Sequence, residues 1–332
     1  MKAIVTTSAS PFHYGHLDLY DRAVNIFGRE NVAVVIGKNV NKDVDFECIL
    51  YHMAPYKINF RLAQDLTLAD FCKNNGISYL VRGIRNAVDA EYELKLDFLN
   101  REINENLSTV FFPTKHVFSN VSSSSINELL KYRKFNVAKK YMDEDAMNRF
   151  YNKRPKFVVF FGKSCIGKTF YLENIFKSEN IAEADKVLWE TLGNIHGKAE
   201  AEKIRAKSKD LIYGGHSIWD LMKIYSTERY WDEFFDFIEK NFPRRGVGGC
   251  IGLKNLDDVF VVDFASLGIY WDTIPSRLRG QLYLVKLENS EENRKIFVQK
   301  KNFGNKIQYL DVNYREPAYF DETTDIAQFC KG

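Results

Sequence analysis

The sequence predicts an α/β protein made of two consecutive three-layer domains. Its 332 residues are more than one ordinary domain of roughly 150 residues needs. Short apolar runs alternate with helix-like stretches in both halves, the pattern of parallel sheets flanked by helices. Between the halves, Tyr151-Asn152-Lys153-Arg154-Pro155-Lys156 is polar and carries one of only seven prolines. Such a segment marks a boundary, so the domains are placed at 1–150 and 156–332.

Taken in order, the first half offers strands at 3–7, 32–36, 77–81 and 109–112, and helices at 16–27, 58–74, 88–104 and 125–132. In the helix at 88–104, Val88, Tyr92, Leu96, Leu99 and Ile103 recur at spacings of four, four, three and four, which is one stripe of a helix. The second half opens on the apolar strand 157–161, followed by a helix at 170–176. A largely helical, aromatic-rich insert is expected over 186–243, with strands at 258–263 and 281–287. No internal repeat or low-complexity tract interrupts this order.

Composition narrows the function. A chain with 45% hydrophobic and 27% charged residues is ordinary for a soluble globular protein. The net charge of +3 is small and its basic residues are dispersed, so no nucleic-acid partner is expected. Five cysteines, Cys48, Cys72, Cys165, Cys250 and Cys330, form no C-x-x-C pair. That speaks against a zinc site or a disulfide framework and suits a reducing cytoplasm. No run approaches the roughly 18 apolar residues of a membrane span, and with a strand predicted at 3–7 no targeting peptide is expected. A cytoplasmic protein with small-molecule partners is expected.

The chemistry concentrates in four places. Gly162-Lys163-Ser164-Cys165-Ile166-Gly167-Lys168-Thr169 is a complete G-x-x-x-x-G-K-[ST] loop between a strand and a helix. The backbone amides of such a loop surround phosphate oxygens. Lys168 would reach the β- and γ-phosphates of ATP, and Thr169 would hold Mg²⁺. In the first half, His13-Tyr14-Gly15-His16 follows the first strand. Two imidazoles on one turn suit stabilising an α-phosphate under attack by positioned donors; they read equally well as helix caps. Arg82-Gly83-Ile84-Arg85 ends a strand, where ligands of open parallel sheets bind. Its arginines read as phosphate contacts or as a solvated charged loop. Ser122-Ser123-Ser124-Ser125 opens a helix, with Ser125 and Glu128 as a capping box and the hydroxyls as an anion site.

With these stretches in view, residues 1 to about 135 resemble the phosphopantetheine adenylyltransferase family, whose sheet is Rossmann-like. The match runs through His13-Tyr14-Gly15-His16-Leu17-Asp18, Leu80-Val81-Arg82-Gly83-Ile84-Arg85, Asp89-Ala90-Glu91-Tyr92-Glu93 and Val121-Ser122-Ser123-Ser124. The resemblance implies transfer of AMP from ATP to 4′-phosphopantetheine with Mg²⁺, giving dephospho-coenzyme A and pyrophosphate. By the same resemblance His16 would stabilise the transition state and contact ATP, with His13 assisting on the triphosphate. Ser8 would supply a hydroxyl to the transferred phosphoryl group. Lys42 would bind the phosphopantetheine phosphate, and Arg82 the pantetheine side. Gly83, Arg85, Glu93, Ser122, Ser123 and Ser124 would hold ATP. The family's G-[ST]-F-D-P becomes Thr7-Ser8-Ala9-Ser10-Pro11, without its aspartate, and the likeness lapses over 43–60.

Residues 157 to about 310 are similar, more weakly, to dephospho-coenzyme A kinase. The points of likeness are the 162–169 loop, Glu183-Ala184-Asp185, Asp263 ending a strand, and Glu292 to Lys301 as a basic lid helix. Asp185 would accept the proton of the attacked hydroxyl, or is a surface acid that begins a helix. Arg294 and Lys300 would neutralise the transferring phosphoryl group, or form a solvated basic face. The family's second lid arginine is Lys300 here, and its prolines after the Asp263 strand and its histidine–proline are absent.

The whole then reads as a Rossmann-like nucleotidyltransferase followed by a P-loop kinase with a helical insert, the last two steps of coenzyme A synthesis on one chain. Two competitors are a nicotinamide mononucleotide adenylyltransferase joined to a ribosylnicotinamide kinase, and an active adenylyltransferase carrying a non-catalytic ATP-binding domain. Arg82-Gly83-Ile84-Arg85 speaks against the first of these. The adenylyltransferase resemblance also implies a homo-oligomer.

Overall fold

A computed structural model of the chain describes residues 1–37, 46–64, 66–211, 225–246, 256, 258–300 and 314–325. The chain forms two compact units, Met1–Lys153 and Arg154–Gly332, each built on its own parallel sheet.

In the first unit the strands are β1 (Ala3–Thr7), β2 (Val32–Gly37), β3 (Phe60–Gln64), β4 (Tyr79–Ile84) and β5 (Ser108–Pro113). They lie in the order β3-β2-β1-β4-β5. Ala3 is in register with Val32 on one side and Tyr79 on the other. Strands covered on both faces read as continuous apolar runs, and Ala3 to Val5 and Val32 to Ile36 are completely buried. Around them stand α1 (Tyr14–Phe27), α2 (Phe46–Met53), α3 (Leu68–Asn74), α4 (Ala87–Ile103), α5 (Ser123–Lys131), α6 (Phe135–Ala138) and α7 (Glu144–Asn152). The strand order reverses at β1. Ligands of open α/β sheets bind outside the carboxyl ends of strands at such a point, and the chain leaves β1 there to enter α1.

Three expectations need correction. The segment 58–74 is not one helix but β3 followed by α3. Phe60 and Leu62 pack on the core while Arg61 is exposed, a period of two that extends the sheet beyond β2. Thr67 then caps α3 by accepting the Asp70 N–H. The helix at 88–104 is present as α4, but its apolar stripe is not its buried face: Val88 is 77% and Leu99 61% exposed, and the buried residue is Asp97. Periodicity finds a helix without saying which side the sheet covers. Lastly, β4 runs on to Ile84, so Arg82 and Gly83 lie on the strand itself.

In the second unit β6 (Phe157–Phe161), β7 (Ile181–Glu183), β8 (Phe260–Asp263), β9 (Leu282–Glu288) and β10 (Glu322–Asp325) lie in the order β10-β9-β6-β8-β7. The short strands β7 and β10 add to the three expected, and all of β6 is buried. The helices are α8 (Lys168–Ile175), α9 (Ala184–His196), α10 (Lys198–Leu211), α11 (Glu228–Asn241), the single turns α12 (Leu267–Tyr270) and α13 (Ser276–Arg279), and α14 (Glu291–Lys300). The expected helical insert is α9 to α11. Its anchor is Trp231, fully buried with its ring 5.3 Å from Phe234 and 5.7 Å from Tyr270. Among the described residues no helix is long and apolar enough to cross a membrane.

Candidate functional site

At the end of β1 the two histidines do two jobs at once. His13 is the extended N-cap of α1, and its Nδ1 accepts the Gly15 N–H at 3.1 Å. The His13 N–H donates in turn to Nδ1 of His16 at 3.3 Å. A neutral imidazole that accepts at Nδ1 carries its proton on Nε2, so both rings present an Nε2–H. That of His16 donates to Thr7 Oγ1 at 3.1 Å, and the ring centroids are 3.8 Å apart. Gly15 is demanded by this geometry, since a Cβ there would come within 2.9 Å of the His13 ring. Burial first, and the Arg85 charge second, lower His13 from 6.5 to about 4, so it stays neutral at physiological pH.

The end of β4 stands beside this turn. Arg82 places Nε and Nη2 on the two Glu93 oxygens at 2.7 and 2.5 Å, and its Nη1 donates to Thr6 Oγ1 at 2.5 Å. Arg85 forks onto Asp89 at 2.6 and 3.1 Å. Its hydrogen bond and charge hold the Asp89 carboxyl below the ordinary range. Glu93 and Asp89 therefore fix the planes of the two arginines. A Cβ on Gly83 would come 3.3 Å from Thr114 Oγ1.

The serine run divides its labour. Ser122 caps α5 and Ser125 reciprocates, a capping box one turn earlier than the expected Ser125–Glu128 pair. Ser125 takes the reciprocal role because its hydroxyl reaches the Ser122 N–H at 2.9 Å. Ser123 is buried and donates to the Pro11 carbonyl at 2.9 Å, a structural contact, while Ser124 is exposed. Lys42 lies outside the described residues. Ser8 follows Thr7 on the same segment, and the Thr7 hydroxyl, which the sequence did not single out, accepts a hydrogen bond from the His16 Nε2–H. His52 of α2 was also passed over: it is fully buried, and its Nε2 accepts the Phe12 N–H at 3.1 Å.

In the second unit the 162–169 loop leaves β6 where that sheet's order reverses. Gly167 has φ of 93° and caps α8, a backbone state that favours glycine. A Cβ on Gly162 would meet the Leu287 carbonyl oxygen at 2.6 Å. Two loop carbonyls are gripped from the β9–α14 corner: Ile166 O by Asn289 Nδ2 at 2.6 Å and Ser164 O by Arg294 Nε at 3.1 Å. Arg294 is thus buried against the loop, not part of a solvated helix face. The buried Lys168 ammonium pairs with Asp263 at the end of β8. Asp185 opens α9 with a solvent-exposed side chain. Crowding by protein nevertheless raises its carboxyl above the ordinary range, opposed by Lys168 and reinforced by Glu183. Thr169 and Lys163 are exposed, Cys165 is half-buried, and of the Lys300 side chain, at the end of α14, nothing is described.

A five-stranded parallel sheet with paired histidine donors at its switch point defines the first unit as a nucleotidyltransferase, and the cytidylyltransferase-like family matches residues 4–129. The phosphopantetheine adenylyltransferase of Staphylococcus saprophyticus is 32% identical over 139 residues, 40% of this chain and 84% of the relative. That of Streptococcus agalactiae is 33% identical over 139 residues, 40% of this chain and 85% of the relative. Through its first unit the chain belongs to the phosphopantetheine adenylyltransferase family. A crystal structure of NadR protein in complex with NR aligns over 98% of this chain and 89% of its own, at 13% identity and a TM-score of 0.30, a likeness too weak to carry an argument.

The two buried histidines make the first unit's stability depend on pH. His13 and His52 are both lowered from 6.5 to about 4, chiefly by burial. Between those values the unfolded chain binds protons that the folded one refuses, so stability is complete above about 6.5 and is lost as pH falls toward about 4. Urea unfolding across this window should show an uptake of about two more protons on unfolding than the rest of the unit accounts for. His52→Gln should reduce that uptake by about one proton.

Proposed function

We propose that the first unit transfers AMP from ATP to 4′-phosphopantetheine. The observation that carries this reading is the pair of imidazoles locked by backbone amides with Nε2–H as donor. A terminal oxygen of the 4′-phosphate attacks the α-phosphorus, and the bond from that phosphorus to the bridging oxygen of pyrophosphate breaks. The nucleophile is already an anion, so no general base is needed. The chain's task is to align the reactants and to meet the charge that grows on the α-phosphate. His16 meets it by turning its Nε2–H from Thr7 to the phosphate oxygen. His13 stays neutral and donates to the triphosphate, while Arg82 and Arg85, oriented by Glu93 and Asp89, bind phosphate. Similarity to phosphopantetheine adenylyltransferases supports the choice of acceptor.

For the second unit we infer ATP binding at 162–169, with dephospho-coenzyme A phosphorylated on its ribose 3′-hydroxyl. Lys168 would exchange Asp263 for the β- and γ-phosphates, and Asp185 would accept the hydroxyl proton as that oxygen attacks the γ-phosphorus. Mg²⁺ binds through one or two protein oxygens together with phosphates. The Thr169 hydroxyl and the Asp263 carboxylate are donors of that kind, and the ion would neutralise phosphate charge between them. The sequence motif and the Lys168–Asp263 pair support this reading.

Incubation with MgATP and 4′-phosphopantetheine, followed by mass identification of products, tests both units. Dephospho-coenzyme A should form, and His16→Ala should lower that step by about 10²-fold or more. Arg82→Ala should impair phosphopantetheine use more than ATP binding. Turnover of nicotinamide mononucleotide in place of phosphopantetheine would overturn the assignment.

The wild type should continue to coenzyme A, and Lys168→Ala should stop at dephospho-coenzyme A. A wild type that itself halts there would leave the second unit as an ATP-binding appendage.

The exposed apolar residues of α4, Val88, Tyr92, Phe98, Leu99 and Ile103, support self-association as a homo-oligomer. Light scattering should give a multiple of the chain mass, and Phe98→Glu combined with Leu99→Glu should reduce it to the monomer.

A further inference from the structure

Phe12 is completely buried, and its ring centroid lies 5.2 Å from that of His16. Both polar groups of its backbone are held from the segment 46–56. The N–H donates to Nε2 of His52 at 3.1 Å, and the carbonyl accepts the Tyr56 hydroxyl at 3.2 Å. The Tyr56 ring meets the Phe12 ring edge-on at 4.8 Å, and its oxygen accepts the Asp143 N–H at 3.2 Å. His52 is itself oriented, its Nδ1–H donating to the Cys48 carbonyl at 3.0 Å. An imidazole that accepts at one nitrogen and donates at the other is neutral, in a single tautomer.

The surroundings enforce that form. Arg149 of α7 is fully buried nearby, donating to the Tyr51 carbonyl at 3.0 Å with its guanidinium 4.4 Å over the Tyr51 ring. Burial disfavours a charged ring first, and a second cation beside Arg149 is disfavoured further. A leucine at position 52 would fill similar space but would leave the Phe12 N–H without an acceptor, so space-filling does not account for a histidine here. The sequence resemblance to the adenylyltransferases lapses over 43–60, so it does not by itself imply the grip on Phe12.

Resting on the adenylyl-transfer reading, we propose that His52 is a positioning residue: with Tyr56 it grips the peptide of Phe12 and sets where the His16 donor stands. It touches neither substrate. It acts through one peptide and one ring on the group that does.

The test compares wild type, His52→Leu, His52→Gln and Tyr56→Phe by steady-state kinetics with ATP and 4′-phosphopantetheine, and by amide exchange at Phe12. His52→Leu should lower kcat about tenfold or more with KM for ATP little changed, the sign of a transition-state contact set out of place. His52→Gln, whose amide oxygen can accept where Nε2 did, should recover most of the loss. Tyr56→Phe keeps the ring and loses the hydroxyl, so it should show a smaller fall in kcat, and it carries the kinetic test should His52→Leu fail to fold. Exchange at Phe12 should quicken in His52→Leu and not in His52→Gln. Wild-type kcat in the folded leucine variant, a glutamine variant as impaired as the leucine one, or unchanged Phe12 exchange in folded His52→Leu would each overturn the proposal. A wild type that transfers no AMP would overturn the adenylyl-transfer reading alone, because the exchange measurement still reads the grip.

Discussion

Between β1 and α1 the chain must cross the open end of the sheet without leaving buried polar groups unpaired, and the first unit is arranged around that constraint. Asn127 takes the Ser10 carbonyl at 2.9 Å, Ser123 the Pro11 carbonyl at 2.9 Å, and His52 and Tyr56 the two polar groups of Phe12. The Tyr14 N–H goes to the Tyr141 carbonyl at 2.7 Å. Each such group, if buried and unpaired, costs about 1–3 kcal/mol, so the partners leave the segment one path. The tautomers of His13 and His16 follow from that path, because backbone amides within the turn occupy both Nδ1 atoms. A histidine donor is useful in phosphoryl chemistry only if its proton faces the phosphate. Here the backbone fixes which ring nitrogen carries the proton.

The second unit meets an equivalent demand differently. Its loop at 162–169 is gripped by carbonyls, through Asn289 and Arg294. Amides of such a loop are the groups that meet phosphate oxygens. Lys168 and Asp263 form a buried ion pair whose mutual attraction offsets the cost of taking two charges out of water. On the ATP-binding reading proposed above, a polyphosphate would take the carboxylate's place on Lys168, and a cation would take the ammonium's place on Asp263.

The legible parts of this protein were those in which chemistry is local in sequence. His13 and His16, Arg82 to Arg85, the serine run and the glycine loop each lie within one turn or strand end, so their spacing shows in the chain. Thr7 was hidden among neighbouring hydroxyls, and His52 and Tyr56 act on Phe12 from 40 and 44 residues away. No local pattern marks a side chain whose partner is a distant backbone group. Ser123 shows the same limit: its neighbours suggest an anion site, and no local pattern marks that its hydroxyl donates to the Pro11 carbonyl. The helix expected at 58–74 failed because the open edge of β2 pairs with Phe60 to Gln64, an influence that lies outside the segment. In α4 the period found the helix, while its apolar stripe is largely exposed.

On the adenylyl-transfer reading proposed above, the arginines at the end of β4 bear on how phosphate is chosen. Arg82 and Arg85 each hold a carboxylate across two nitrogens, the geometry in which guanidinium also binds phosphate. Glu93 and Asp89 therefore do more than neutralise: they hold each fork flat and at a set angle. For Arg82, Nε and Nη2 are committed to Glu93, and Nη1 to the Thr6 hydroxyl beside the histidine turn. A phosphate that approaches must either displace a carboxylate or accept from the remaining N–H groups. The second course keeps the acid in place and leaves the guanidinium near neutral in its local field, so a dianionic group gains less than it would from an unpaired arginine. On that reading, discrimination between phosphates would come from position and direction more than from net charge.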